Sequence, residues 1–116
     1  MLRSRLHPLL SGALLLLAYR GRRTGRRYSL PLLYARDGDD LLLVALHPEG
    51  QSWWRNVRGA EVDLLVAGRE LRARADVATD GDAARRAFAA ARPWARPVLR
   101  RARGAVFVRV SPDDVR

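Results

Sequence analysis

The sequence predicts a mainly β (α+β) fold, a small antiparallel barrel of about six strands with two or three short helices. Three observations predict it. Apolar segments of strand length recur along the chain, separated by turn signals such as Asp37-Gly38 and Ala67-Gly68. The segment Glu70–Ala78 alternates with a period of two, placing Leu71, Ala73, Ala75 and Val77 on one side and Arg72, Arg74 and Asp76 on the other. Successive hairpins in a chain of this size close most readily on themselves, because closure removes exposed edges. At 116 residues the chain can bury one core and not two, so residues 1–116 are expected to form a single domain.

Taken in order, residues 1–10 read as a short basic and apolar lead-in, a helical turn with Pro8 near its start. A strand follows over Ala13–Arg20. The polar connector Gly21–Arg27 joins it to a second strand over Tyr28–Ala35, and Pro31 there lacks a ladder donor, which predicts an edge or a bulge. Asp37-Gly38 turns the chain into the continuous apolar run Leu41–Leu46, a buried third strand. His47-Pro48-Glu49-Gly50 breaks that strand, and Ser52 is placed to cap a short helix through Val57. Strands over Glu61–Val66 and Glu70–Ala78 come next. Asp80 can cap an Ala-rich helix over Asp82–Arg92, ended by Pro93, whose one large apolar side chain is Phe88. The basic, proline-broken stretch Trp94–Arg103 has no clear assignment, and a last strand spans Ala105–Val110.

Composition narrows the chemistry. All 22 basic residues are Arg, and the formal net charge of +10 favours an anionic partner: a phosphorylated or polycarboxylate cofactor, nucleic acid, or an acidic membrane surface. Cysteine is absent, which excludes disulfides, thiolate catalysis and cysteine metal sites. His7 and His47 are the only histidines and no acidic cluster accompanies them, so no metal site is expected. The apolar stretch Leu9–Ala18 is about half the length of a membrane helix and lacks a cleavage signal, so the expected location is the cytoplasm.

Two constellations remain. The loop Gly21-Arg22-Arg23-Thr24-Gly25-Arg26-Arg27 offers guanidinium forks and a hydroxyl at a turn, which suits a phosphate, although an Arg-rich turn can also be plain solvated surface. It lacks the lysine of a P-loop. Ser52-Trp53-Trp54-Arg55-Asn56 places two indoles on diverging faces of a helix, one able to wall a tricyclic ring and one to anchor the core; both can equally be core or interface residues. Asn56 can bond a ligand carbonyl or cap a backbone group.

Together these segments resemble the deazaflavin-dependent nitroreductase family of the flavin/deazaflavin oxidoreductase superfamily. The resemblance rests on Gly21-Arg22-Arg23-Thr24-Gly25, Tyr34-Ala35-Arg36-Asp37-Gly38-Asp39, Leu42-Leu43-Val44-Ala45 and Trp53-Trp54-Arg55-Asn56 in that order. It covers about residues 13–78, with a weaker echo in Val106–Pro112. It implies a split β-barrel that binds coenzyme F420 in a groove, often near a dimer interface. Arg22, Arg23, Thr24, Gly25 and Arg26 would hold the phosphate and acidic tail, Ala45 would lie beside the ring, Trp53 would wall or support the pocket, and Asn56 would anchor the short helix. The activity implied is hydride transfer to a small organic acceptor such as a quinone, a nitro compound or an activated alkene. The chain departs from better-known members in having no tyrosine within Trp94–Arg103 and in carrying Glu61 where proline is frequent. Two other readings stay open at this point: an FMN-binding split barrel, and a non-catalytic basic module for nucleic acid or acidic lipid. Contact with a membrane surface without spanning it is compatible with the charge, as is a homodimer.

Overall fold

A computed structural model describes residues 12–21 and 23–113. The lead-in 1–10 and Arg22 therefore lie outside the described residues. Six strands, β1 (Leu14–Arg20), β2 (Arg27–Asp37), β3 (Asp40–Ala45), β4 (Ala60–Val66), β5 (Arg69–Val77) and β6 (Val106–Pro112), close into an antiparallel barrel in the order β1-β2-β3-β6-β5-β4. Three short helices accompany them: α1 (Trp53–Asn56), α2 (Gly81–Ala91) and α3 (Arg96–Arg101). The predicted mainly β barrel is the observed one, and its elements fall close to their expected positions.

Hydrophobic alternation sets which side chains enter. Leu15 and Leu17 of β1, Val62 and Leu64 of β4, Ala73 and Ala75 of β5, and Val108 and Val110 of β6 fill the barrel interior. The run Leu41–Ala45 is continuous because β3 is covered on both sides: Leu41, Leu43 and Ala45 point into the barrel, while Leu42 and Val44 lie under a second cluster with Phe88 of α2 and Leu99 of α3. Asp80 caps α2 by accepting from the Ala83 N–H at 3.0 Å. The stretch without a sequence assignment folds as a 3₁₀ turn at Pro93–Ala95 followed by α3.

The barrel is split between β2 and β3. Those strands pair only from Tyr34↔Leu43 to Asp37↔Asp40, so Arg27–Leu33 has β1 as its single neighbour. Pro31 sits in this part, opposite Leu16 of β1 and without a bulge in the register. The Tyr34 N–H donates to the carbonyl of Ala13, just before β1, which by parity turns residue 31 toward the open side, where no ladder donor is needed. The expected edge is thus local to half a strand.

Candidate functional site

At one end of the barrel the β1–β2 connector faces α1. Gly25 adopts φ 71°, a conformation costly for residues with a Cβ, and its N–H donates to the Gly21 carbonyl at 2.9 Å. The Gly21 N–H returns to the Arg26 carbonyl at 2.8 Å, Arg20 reaches the Gly25 carbonyl at 3.0 Å, and the Thr24 hydroxyl accepts from the Arg26 N–H at 3.1 Å. The loop is therefore held by its own backbone, leaving Arg23 to project from it.

Tyr19 and Tyr28 are directly opposite in the β1–β2 register, and their rings stack with centroids 5.5 Å apart. The Tyr28 ring rests on Gly21 so closely that a Cβ there would come within 2.9 Å of Cε2. Burial, reinforced by the neighbouring Tyr28, raises the Tyr19 pKa above its ordinary value, so this phenol stays protonated through the neutral range.

Two grooves meet here. One, about 330 Å³, is lined by Tyr19, Gly21, Arg23, Thr24, Tyr28, Ser52 and Asn56. The other, about 1010 Å³ and widely open, continues past Arg23, Ser52 and Asn56 to Arg55, Arg58, Gly59 and Asp76. Arg23, Ser52 and Asn56 border both, which makes one continuous channel with three guanidinium groups against a single carboxylate. Asp76 also accepts from the Val77 N–H at 2.8 Å. Such a donor-rich set fits phosphate and carboxylate groups.

The expected site residues separate by location. Arg23, Thr24 and Asn56 meet at the channel, and Gly25 closes the turn behind them. Arg26 is exposed and borders neither groove; Arg22 is outside the described residues. Ala45 is fully buried in the barrel core, paired with Val106. Trp53 is 2% exposed, and its indole N–H has no hydrogen-bond partner among the described residues, so it underlies α1 as a core anchor. Its neighbour Trp54 is half-buried, donates to the Pro48 carbonyl at 3.2 Å and carries the Arg55 guanidinium 4.8 Å from its ring centre. Ser52 stands at the N-cap position but makes no side-chain cap bond, contrary to the sequence reading; its place is the channel wall. Asn56 donates from Nδ2 to the Ser52 carbonyl at 3.1 Å.

The sequence reading missed Tyr19, Tyr28, Arg55, Arg58 and Asp76 as channel residues. Arg55 and Arg58 at a spacing of three in and after a helix were a readable signal. The tyrosines meet only through strand register, which no local pattern announces.

A third cleft, about 240 Å³, occupies the split itself, with Pro31 and Leu33 of β2 facing Val44 and Leu46 across it and His47 and Gln51 at its polar side. The Gln51 Oε1 atom is buried without a hydrogen-bond partner among the described residues. Gln51 and Ser52 are consecutive, so the segment leading into α1 contributes one residue to this apolar cleft and the next to the basic channel. On the outer barrel face formed by β1, β4 and β5, by contrast, Leu16 and Leu65 are about 40% exposed around a shallow depression, rimmed by ion pairs linking Arg27, Asp63, Arg72 and Glu61. Among the described residues no cluster of potential metal ligands occurs, and no helix is long and apolar enough to cross a membrane.

Comparison with known proteins gives the architecture its context. A structure described as an F420-H2 dependent reductase superposes with a TM-score of 0.63 at 17% identity, covering 84% of this chain and 93% of that one. One described as a domain-swapped dimer gives 0.62 at 17% identity, with 84% and 79% covered. The haem storage protein HutZ from Vibrio cholerae gives 0.64 at 13% identity, with 90% and 84% covered. At these identities the likeness is one of fold alone. No curated protein matches. The family model for F420H(2)-dependent quinone reductase, however, runs through residues 4–108, nearly the full length of the sequence, and the chain belongs to that family.

Proposed function

We propose that this chain is a reductase that holds coenzyme F420 in the basic channel and reduces a small organic acceptor seated in the neighbouring apolar cleft. Family membership implies F420 and gives the FMN alternative no support. The observation that carries the assignment is the donor set itself: Arg23, Arg55 and Arg58 with Ser52, Thr24 and Asn56 along one channel, at the end of the barrel where the glycine turn is fixed from within. In this reading Arg22, Arg23, Thr24, Gly25 and Arg26 form the anion-binding loop, Arg22 by its place in the loop sequence. Trp53 and Ala45 support the pocket from within the core, and Asn56 ties α1 together. Residues 1–116 act as one split-barrel cofactor-binding domain.

When bound, the reduced deazaflavin supplies a hydride equivalent. The chain's own residues bind, orient and exclude water. The arginine forks would hold the acidic end of the cofactor and so restrict where the rest of it can lie. The cleft in the split is apolar, which suits a quinone, a nitroaromatic or an activated alkene. His47 and Gln51 are its polar groups and can orient an acceptor's oxygen atoms.

Titration of the purified protein with F420 and, separately, with FMN tests this reading. Saturable F420 binding with little FMN binding is expected, and joint replacement Arg22→Ala and Arg23→Ala should weaken F420 roughly tenfold or more through loss of two charge-assisted contacts. Clear FMN preference overturns the cofactor assignment, and unchanged affinity in the double variant removes the loop from the site.

The partner of the exposed β1–β4–β5 face is, in our reading, a second copy of this chain. Leu16 and Leu65 supply the apolar centre, and the rim carries charges of both signs on a molecule otherwise strongly basic. The neighbour described as a domain-swapped dimer is in keeping with that assignment.

A further inference from the structure

Between Asp82 and Asp113 the chain carries eight arginines and no acidic residue. Three of them are bound within the fold. Arg85 donates to the carbonyls of Leu99, Ala102 and Arg103, Arg92 to those of Tyr34 and Gly12, and Arg109 pairs with Asp37 and Asp40. Arg96, Arg100, Arg101 and Arg103 are different: all four are exposed, and none makes an ion pair among the described residues.

Helical geometry gathers them. Successive residues turn by about 100°, so with Leu99 buried against α2 and β6, and Ala95 and Ala102 buried on either side of it, Arg96, Pro97, Arg100 and Arg101 project from the opposite arc. Val98 flanks that arc and is 42% exposed. Arg103 follows one turn later. The outward face of α3 is thus cationic, with Pro97 between the guanidinium groups and Val98 at its edge, and among the described residues no ion pair engages it.

We propose that this face docks the protein on an anionic phospholipid surface. Charge complementarity calls for an anion, and the aliphatic component distinguishes a bilayer from a nucleic acid. Val98 and Pro97 would enter the acyl boundary while the arginines meet headgroup phosphates. A six-residue helix is only about 9 Å long, too short to track a groove of duplex. No exposed aromatic side chain lies on the arc to stack a base, since Trp94 is packed into the cluster beneath α2. A bilayer, which is flat and laterally adaptable, imposes no spacing on scattered charges. The inference is independent of the cofactor assignment; combined with it, docking would bring the apolar cleft to acceptors dissolved in lipid.

The test is co-sedimentation of the full chain with vesicles of phosphatidylcholine, with and without phosphatidylglycerol, across a salt series. Wild-type protein should partition onto the anionic vesicles only. Each surface-bound arginine contributes about fivefold, so the double variant Arg100→Gln, Arg101→Gln should lose about 25-fold. Because the molecule is basic throughout, a control of equal charge is required: Arg36→Gln with Arg69→Gln, at the β2–β3 and β4–β5 turns, should lose much less. Val98→Asp, which leaves the arginines in place, should also weaken binding. Equal losses in the two double variants, or no partitioning of the wild type, overturn the proposal. So does tighter binding to single-stranded RNA that falls with the same α3 variants, which would make the face a nucleic-acid site. F420 affinity is measured on every variant and is expected not to change.

Discussion

At the scale of single residues, the site is built by side chains whose roles depend on what they face. Tyr19 is half inside the barrel mouth, and burial with Tyr28 beside it raises its pKa. A group whose native pKa lies above its unfolded value stabilises the fold fully below the unfolded pKa and loses that contribution as pH rises through the native one. Urea unfolding should therefore show stability falling above about pH 10, and Tyr19→Phe should flatten that decline. An unchanged slope in the Phe variant would assign the titration elsewhere. Trp53 and Trp54 illustrate the same dependence on surroundings: adjacent in sequence, they divide into a core anchor and a half-buried lid on Pro48 that carries Arg55. The sequence marks the pair but leaves open which is which, since both diverging directions are compatible with a helix of four residues.

At the scale of elements, α2 depends on one side chain. Its alanines give helical propensity but little apolar area, and Phe88 is fully buried, with its ring centroid 5.9 Å from that of Phe107 on β6. Phe88→Ala should cost about 3–5 kcal/mol in denaturant unfolding. A loss below about 1 kcal/mol would mean that α2 is not held by this contact. The strands were legible because their period of two and their turn residues are local. Where both strand faces are covered, as in β3, the alternation gives way to a continuous run, and that too was readable. The stretch Trp94–Arg103 was not, because its helix is short, carries Pro97 in its first turn and takes its stability from Leu99 packing under neighbours far away in sequence.

At the scale of the whole molecule, a net charge of +10 opposes self-association unless the contact face is locally balanced. The Leu16 and Leu65 face meets that condition. Sedimentation velocity should show a concentration-dependent dimer, and Leu65→Glu should return it to monomer. A wild type that stays monomeric at high concentration, or a variant that still dimerises, places the interface elsewhere. The arginines on α3 lie on a different surface, so the proposed lipid docking and the proposed dimer are separable by mutation. The basic channel, the apolar cleft in the split and the α3 face thus draw on distinct parts of one small molecule.

What the sequence by itself determined was the set of strands and turns, the glycine-closed loop and a net charge that favours an anionic partner, because each follows from local periodicity, backbone freedom or summed charge. It also carried the family. Tertiary structure alone decided that Tyr19 stacks on Tyr28 and Tyr28 rests on Gly21, that Arg55 and Arg58 extend the channel, and that Ala45 and Trp53 turn inward. Those relations arise from register and barrel closure, which bring together residues tens of positions apart through contacts that no single segment specifies.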